Sequence, residues 1–334
     1  MKISKDGFRS VSELLPGLDR QIGELPEIPP VAPPLSKRRQ KRLDGITRIQ
    51  LQREKHKQKI GYLAKPFLLC GLPFKAPKQT NHYRRVNGAE VIEITGSPEY
   101  GLPFGADILV LVWISTLAIL NLKDGKVPRV IEFSRASDML KALGLPLDGR
   151  TYRSMQQRFL RIFNATFFYG KKSEVRVNMF RFNFFDAVDL WFTPDLDSAS
   201  LPGDDFRNNR VVLSETFASD LELNHPPIEL EAVKLWANKP WQLYFYLWLV
   251  YRCYVAKGRS KIALMGPGSL KEQCGAEGYK AAQGKFDFRA KIKKGLADVK
   301  LVWPECPVEL ELQPDRDYII IFPKKNVIHE HPKQ

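Results

Sequence analysis

The sequence predicts an α+β fold in which one order of elements occurs twice behind a basic N-terminal arm, and three observations carry that expectation. The order helix, strand, short helix, loop, basic helix, β-hairpin can be traced once after residue 90 and again after residue 210. An acidic, turn-rich stretch, Pro194–Asn209, lies between the two passes. Cationic charge is concentrated at the start, where residues 1–85 hold 19 Lys and Arg against 7 Asp and Glu, +12 of the net +15. The expected organisation is an arm or linker over 1–89, a first repeat over 90–193, a connector over 194–209, a second repeat over 210–324 and a tail over 325–334.

At 334 residues, 44% of them hydrophobic and 27% charged, the chain is globular in class and can bury one or two cores. A pI near 9.6 points to an acidic partner, nucleic acid or an anionic membrane surface. The longest apolar run, Ile108–Leu120, has 13 residues and contains Ser115 and Thr116. A membrane-spanning helix needs about 20. No membrane role is therefore expected, and the polar opening MKISKDGFRSVSELLPG does not read as a secretory signal, which leaves a cytoplasmic protein. Cys70, Cys253, Cys274 and Cys306 are far apart and form no C-x-x-C pair, so buried free thiols are expected and neither a zinc site nor a disulfide framework.

In the arm, the prolines of Leu25–Leu35 (LPEIPPVAPPL) exclude a helix or a central strand and suggest an extended spacer. KRRQKR (Lys37–Arg42) and REKHKQK (Arg53–Lys59) follow, dense in cations, as a phosphate-contacting arm. The first repeat opens with EVIEIT (Glu90–Thr95), which alternates like a strand, and FGADILVLVWISTLAILNL (Phe104–Leu122), a buried helix. A strand VIEFS (Val130–Ser134) and a short helix capped by Ser137 and stopped by Gly144 come next. After the loop LPLDG and a basic helix, ATFFYG, EVRVNMFRFNFF and VDLWF read as strands, with a turn at Gly170, Lys171 and Lys172. In the second repeat the corresponding pieces are RVVLS (Arg210–Ser214), KPWQLYFYLWLVYRCYV (Lys239–Val255), KIALM (Lys261–Met265), a short helix from Ser269 to the stop at Gly275, the basic helix Gly284–Val302, and the strands VELEL and DYIIIF.

The basic helix of the first repeat is the most informative stretch. Over DGRTYRSMQQRFLRIFNATFF (Asp148–Phe168) a helical winding puts Tyr152, Met155, Phe159, Ile162, Phe163 and Thr166 on one side. Arg150, Arg153, Ser154, Gln157, Arg161 and Asn164 fall on the other, and no Asp or Glu occurs from Gly149 through Ser173. A solvated face would mix charge signs to gain i,i+4 pairs. A short helix, a turn, a second helix with a cationic and amide-rich face and then a hairpin is the layout of a winged helix-turn-helix, whose second helix enters the major groove of double-stranded DNA. There Arg pairs with guanine and Gln or Asn with adenine. Arg150, Arg153, Ser154, Gln157 and Arg161 are thus expected on DNA, with Lys171 and Lys172 as wing contacts to phosphate. In the second repeat Lys280, Lys285, Arg289, Lys291, Lys293 and Lys294 form the cationic set, interrupted by Asp287 and Asp298. That helix suits backbone contact better than base reading. Tyr152, Trp113, Trp236, Trp241 and Trp248 lie in apolar faces or runs and are expected in the core.

The segments Tyr100–Ile119, Arg153–Phe167, Arg210–Leu221, Pro240–Cys253 and Phe288–Glu305 resemble the plasmid-encoded RepA-type replication initiators, over roughly residues 97–323. The resemblance implies two tandem winged-helix domains that bind repeated origin sites (iterons), open the adjacent duplex and recruit a host initiator ATPase and the replicative helicase in the bacterial cytoplasm. It also implies possible homodimers that repress their own promoter. A dimeric transcriptional repressor of the same fold with no replication role is the alternative. Enzymatic readings are weak, and no cofactor or metal is expected. GYKAAQGKF (Gly278–Phe286) has five residues between glycines where a phosphate loop needs four, and Phe286 stands where Ser or Thr must meet magnesium. Asp195 with Asp197, Asp186 with Asp189, and His329 with His331 show no catalytic context.

Overall fold

The computed structural model describes residues 36–77, 80–126, 128–172, 175–190, 209–275, 282–313 and 316–324. In chain order these hold α1 (Lys37–Glu54), β1 (Ile60–Tyr62), α2 (Lys65–Leu69), β2 (His82–Asn87), β3 (Glu90–Thr95), a 3-10 turn (Gly105–Asp107), α3 (Ile108–Lys123), β4 (Val130–Phe133), α4 (Ala136–Ala142), α5 (Gly149–Phe163), β5 (Thr166–Lys172), β6 (Val177–Asn183) and β7 (Phe185–Asp189). After them come β8 (Asn209–Leu213), α6 (Glu215–Leu223), β9 (Pro227–Glu229), α7 (Leu230–Leu235), α8 (Pro240–Val255), β10 (Ser260–Ala263), α9 (Leu270–Gln273), α10 (Ala282–Val302), β11 (Val308–Glu311) and β12 (Tyr318–Ile321). The spacer Leu25–Leu35, Asp195, Asp197, Lys280, His329 and His331 lie outside the described residues.

The chain divides into two parts between Lys41 and Arg42, and the described residues of each are taken by themselves. In the first, Ser36 starts α1 by accepting the Arg39 amide at its side-chain oxygen (3.4 Å), and Lys37, Arg39 and Lys41 are exposed. The second part contains all four sheets. The expectation of an arm reaching to residue 89 is corrected here, because Tyr62, Leu63, Phe67, Leu68, Cys70 and Leu72 are buried core residues. The apolar run YLAKPFLLCGLPF was masked by the surrounding cations when charge was averaged over the quarter. Pro66 sits in the first turn of α2, where a missing donor costs nothing.

Strand orders are β4-β8-β7, β10-β12-β11, β2-β3-β5-β6 and β1-β9. The first two are alike. In each, the strand that follows a long buried helix pairs with the third strand of its sheet, and the second strand lies outside. Both enclose a short helix and a basic helix between their first and second strands. The first repeat carries an insertion, the β5–β6 hairpin, which joins β2 and β3 in a sheet of its own. Two further expectations are thereby corrected. Strand β8 does not open the second repeat, since it pairs with β4 and β7. Lys171 and Lys172 lie on the inserted hairpin and not on the hairpin that closes β4-β8-β7.

Two helices hold the core. Helix α3 is buried from Ile108 through Thr116, and Thr116 Oγ1 accepts the Tyr62 amide at 2.9 Å. Together with the preceding turn it forms a 19-residue stretch, Gly105–Lys123, long and apolar enough to cross a membrane, but most of it is buried inside the protein. Helix α8 is buried at every residue from Gln242 through Tyr251. Aromatic rings of α2, β5, β6 and α6 interlock beside them, with Phe184 and Phe217 at 4.1 Å and Phe67 edge-on to Phe167 at 5.5 Å. Tyr152, Trp113, Trp236 and Trp248 are buried as expected, Trp241 is half-buried, and all four cysteines are buried free thiols.

The part of α1 from Arg42 onward is docked by its buried Ile46 and Ile49 and by ion pairs. Arg53 donates to Glu229 from Nε (3.1 Å) and Nη2 (2.8 Å), Gln58 Nε2 adds a third donor at 3.1 Å, and Glu229 is fully buried. Burial raises the Glu229 pKa above its ordinary value despite the attraction of Arg53. A carboxyl raised on folding stabilises the protein fully below its unfolded pKa and loses that contribution as pH rises through the folded value. Lowering pH from 8 toward 5 is therefore expected to favour the wild type progressively over Glu229→Gln in denaturant unfolding. A difference that is flat or runs the other way contradicts this account of the pair.

Candidate nucleic-acid interface

Helix α5 starts where Asp148, in extended conformation, accepts the Thr151 amide at 2.7 Å. That hydrogen bond holds the Asp148 carboxyl below its usual range. Tyr152, Met155, Phe159 and Ile162 are buried, and Phe159 stacks on Phe185 of β7 with ring centroids 5.8 Å apart. The sheet β4-β8-β7 thus backs the helix and turns its opposite side outward.

On that side Arg150, Arg153 and Gln157 are exposed and Ser154 is half-buried. Arg153 and Gln157 have no side-chain hydrogen bond or ion pair among the described residues. Gln156, which the sequence reading passed over, is also exposed at the flank.

Arg161 is not available, and its expected place among the DNA readers is corrected. Its Nε and Nη2 donate to the two oxygens of Asp107 at 2.7 and 2.8 Å, and its guanidinium lies over the Phe104 ring. Arg158 approaches the same carboxylate at 3.8 Å, and burial pulls its pKa down against that attraction. Asp107 is 1% exposed and also accepts the Phe104 amide at 3.0 Å. One buried carboxylate therefore ties the start of α3 to the C-terminal half of α5. It stands 54 residues before Arg161, beyond the reach of any local charge pattern.

The hairpin cations are exposed but sit apart from this helix in the strand order. Lys171 Nζ lies 3.9 Å from Glu90, which Lys65 also meets at 2.9 Å, and Lys172 ends β5. In the second repeat Phe288, Ile292, Leu296 and Val299 of α10 are buried. Gly295 lets the helix approach α8, since a Cβ there would meet Trp241 at 2.8 Å, and Gln242 Nε2 donates to the Gly295 carbonyl at 3.0 Å. Arg289 is taken by buried Asp317. Lys291 Nζ lies 4.4 Å from the Trp241 ring centre, and burial pushes its pKa down. Lys285 is half-buried, whereas Lys293 and Lys294 are exposed with no side-chain partner among the described residues. Asp186 pairs with Arg129 at 2.9 Å, and no group of three metal-ligating side chains occurs among the described residues.

No protein-family model and no curated protein matches the chain. Among solved structures, domains 2 and 3 of RctB as a selenomethionine derivative are 14% identical, with 78% of this chain and 98% of that chain covered at a TM-score of 0.47. A second structure of RctB domains 2–3, spanning its residues 155–483, is 15% identical, with 76% and 94% covered at a TM-score of 0.41.

The two kinds of arginine on α5 should separate on substitution. Arg161→Ala leaves Asp107 buried and half-compensated, and is expected to cost about 3 kcal/mol of stability. Arg153→Ala and Gln157→Ala, both on exposed surface, should leave thermal unfolding within about 0.5 kcal/mol of wild type. A large stability loss in either exposed variant, or none in Arg161→Ala, contradicts the assignment.

Proposed function

We propose that this chain is a replication initiator of the plasmid RepA type that binds double-stranded origin repeats through two winged-helix domains. The reading is carried by the outer face of α5, where Arg150, Arg153 and Gln157 stand exposed with no carboxylate side chain of their own helix beside them. Side chains of these types match the edges of guanine and adenine in the major groove. The shared strand order of β4-β8-β7 and β10-β12-β11, each backing a basic helix, supports two reading modules in one chain.

In this reading α4 and α5 form the helix-turn-helix of the first module, and the paired strands β7 and β8 are its wing strands. Helix α10, with Lys293 and Lys294 outward, holds the phosphate backbone in the second. Two such modules cover successive major-groove faces about one helical turn apart. The protein itself performs no covalent chemistry; bending and capture of an opened strand promote melting. A host initiator ATPase and helicase then enter as partners in the bacterial cytoplasm.

Selection of bound duplexes from a random library tests the proposal. An asymmetric site of about two turns is expected, bound in tandem direct repeats. Arg153→Ala or Gln157→Ala should then lose about 1–3 kcal/mol on that site and relax preference at one base pair. A palindromic winner would indicate a dimeric repressor instead, because operator symmetry mirrors protein symmetry. No enrichment over random duplex overturns sequence-specific binding altogether.

A further inference from the structure

Asp298 places a negative charge on the outward side of α10, one turn after Lys294, and at i,i+4 the two are helix neighbours able to pair. They do not pair. The Asp298 carboxylate is taken instead by Arg42 of α1, with the two side chains 16% and 33% exposed. Helix α1 is held beside the end of α10 at a second point, two turns further on, where Gln50 Nε2 donates to the Leu301 carbonyl at 3.3 Å. Lys294 is left exposed without a side-chain partner among the described residues, as are Lys293 and Lys300.

A carboxylate among cations on a DNA-facing surface acts twice against binding. It repels phosphate, and it competes with phosphate for the nearest ammonium group. Arg42 suppresses both effects from outside the helix. Resting on the DNA-binding reading above, we propose that Arg42 is a positioning residue for the second DNA contact. It withdraws Asp298 from Lys294, so that Lys293, Lys294 and Lys300 present an uninterrupted cationic surface to backbone phosphates. The first helix of the folded body is on this account part of the α10 interface, and the acidic residue that interrupts the helix in sequence is neutral to the DNA in the folded protein.

The test is a salt titration of the full chain on its selected duplex and on a random duplex, for wild type, Arg42→Ala, Asp298→Asn, the double variant and Lys294→Ala. Each phosphate contact contributes about 0.9 to the slope of log K against log salt. Arg42→Ala is expected to lower the slope by about one contact on both duplexes. Adding Asp298→Asn should restore it, because no carboxylate then remains to capture Lys294. Lys294→Ala should give the same loss by itself. A double variant as weak as Arg42→Ala overturns the proposal, since Arg42 then touches phosphate itself or only docks α1. An unchanged slope in Lys294→Ala also overturns it, whether or not Arg42→Ala folds. Wild type that binds neither duplex removes the DNA-binding reading, a result separable from every variant outcome.

Discussion

Helix α8 has no polar side, and the rest of the fold is arranged around that constraint. A helix enclosed at every residue from Gln242 to Tyr251 must be covered on all faces, and its own polar atoms must find partners inside. Tyr244 Oη lies 2.8 Å from the Leu69 carbonyl and 3.0 Å from that of Gln273. Tyr246 Oη accepts the Glu229 amide at 3.2 Å, and Arg252 donates to Asn87 and Gln273 at 3.1 and 2.7 Å. These bonds reach α2, β2, β9 and α9. Each large apolar side chain that α8 buries fully, such as Leu243, Phe245 or Leu247, contributes roughly 1.5–3 kcal/mol. The segment after α1 therefore cannot be a detachable arm: α2 is one wall of the space that α8 occupies, and a Cβ at Gly71 would meet the Tyr244 ring at 2.5 Å.

Charge is sorted by the same burial. The enclosed carboxylates Asp107, Glu229 and Asp317 each take an arginine: Arg161 spans both oxygens of Asp107, Arg53 sends two donors to one oxygen of Glu229, and Arg289 meets one oxygen of Asp317. The exposed cations of α10 that lack a partner are lysines, more strongly hydrated and kept at the surface. On α5 both kinds of arginine occur. The C-terminal pair, Arg158 and Arg161, closes on Asp107, and the N-terminal pair, Arg150 and Arg153, stays out. Anchored and surface-exposed arginines are thus divided along one helix, and its orientation relative to α3 is set by a buried carboxylate.

Periodicity made much of this legible from the residues alone. Helices α3, α5, α8 and α10 follow from apolar spacing and most strands from alternation, and of the side assigned to the core of α5, Tyr152, Met155, Phe159 and Ile162 are buried, whereas Phe163 is half-buried and Thr166 belongs to β5. What local pattern could not provide was pairing across long separations. β8 reads as the start of a new repeat because an acidic connector precedes it, yet its partners are β4 and β7. β5 and β6 read as a wing because they follow the basic helix directly, yet β3, more than 70 residues earlier, claims β5. Arg161 read as free because its carboxylate lies two elements away. The helix α2 and strand β2 were hidden by averaging charge over a stretch whose apolar core residues are clustered.

The claim on which the functional account depends is that α5 and α10 face one duplex from two similar modules. Hydroxyl-radical footprinting of the full chain on its selected site tests it most directly. Two protected patches on one face of the helix, centred about 10 base pairs apart, are the result the account predicts. A single patch that Arg153→Ala abolishes and Lys294→Ala leaves untouched would contradict it, by leaving the second module without DNA.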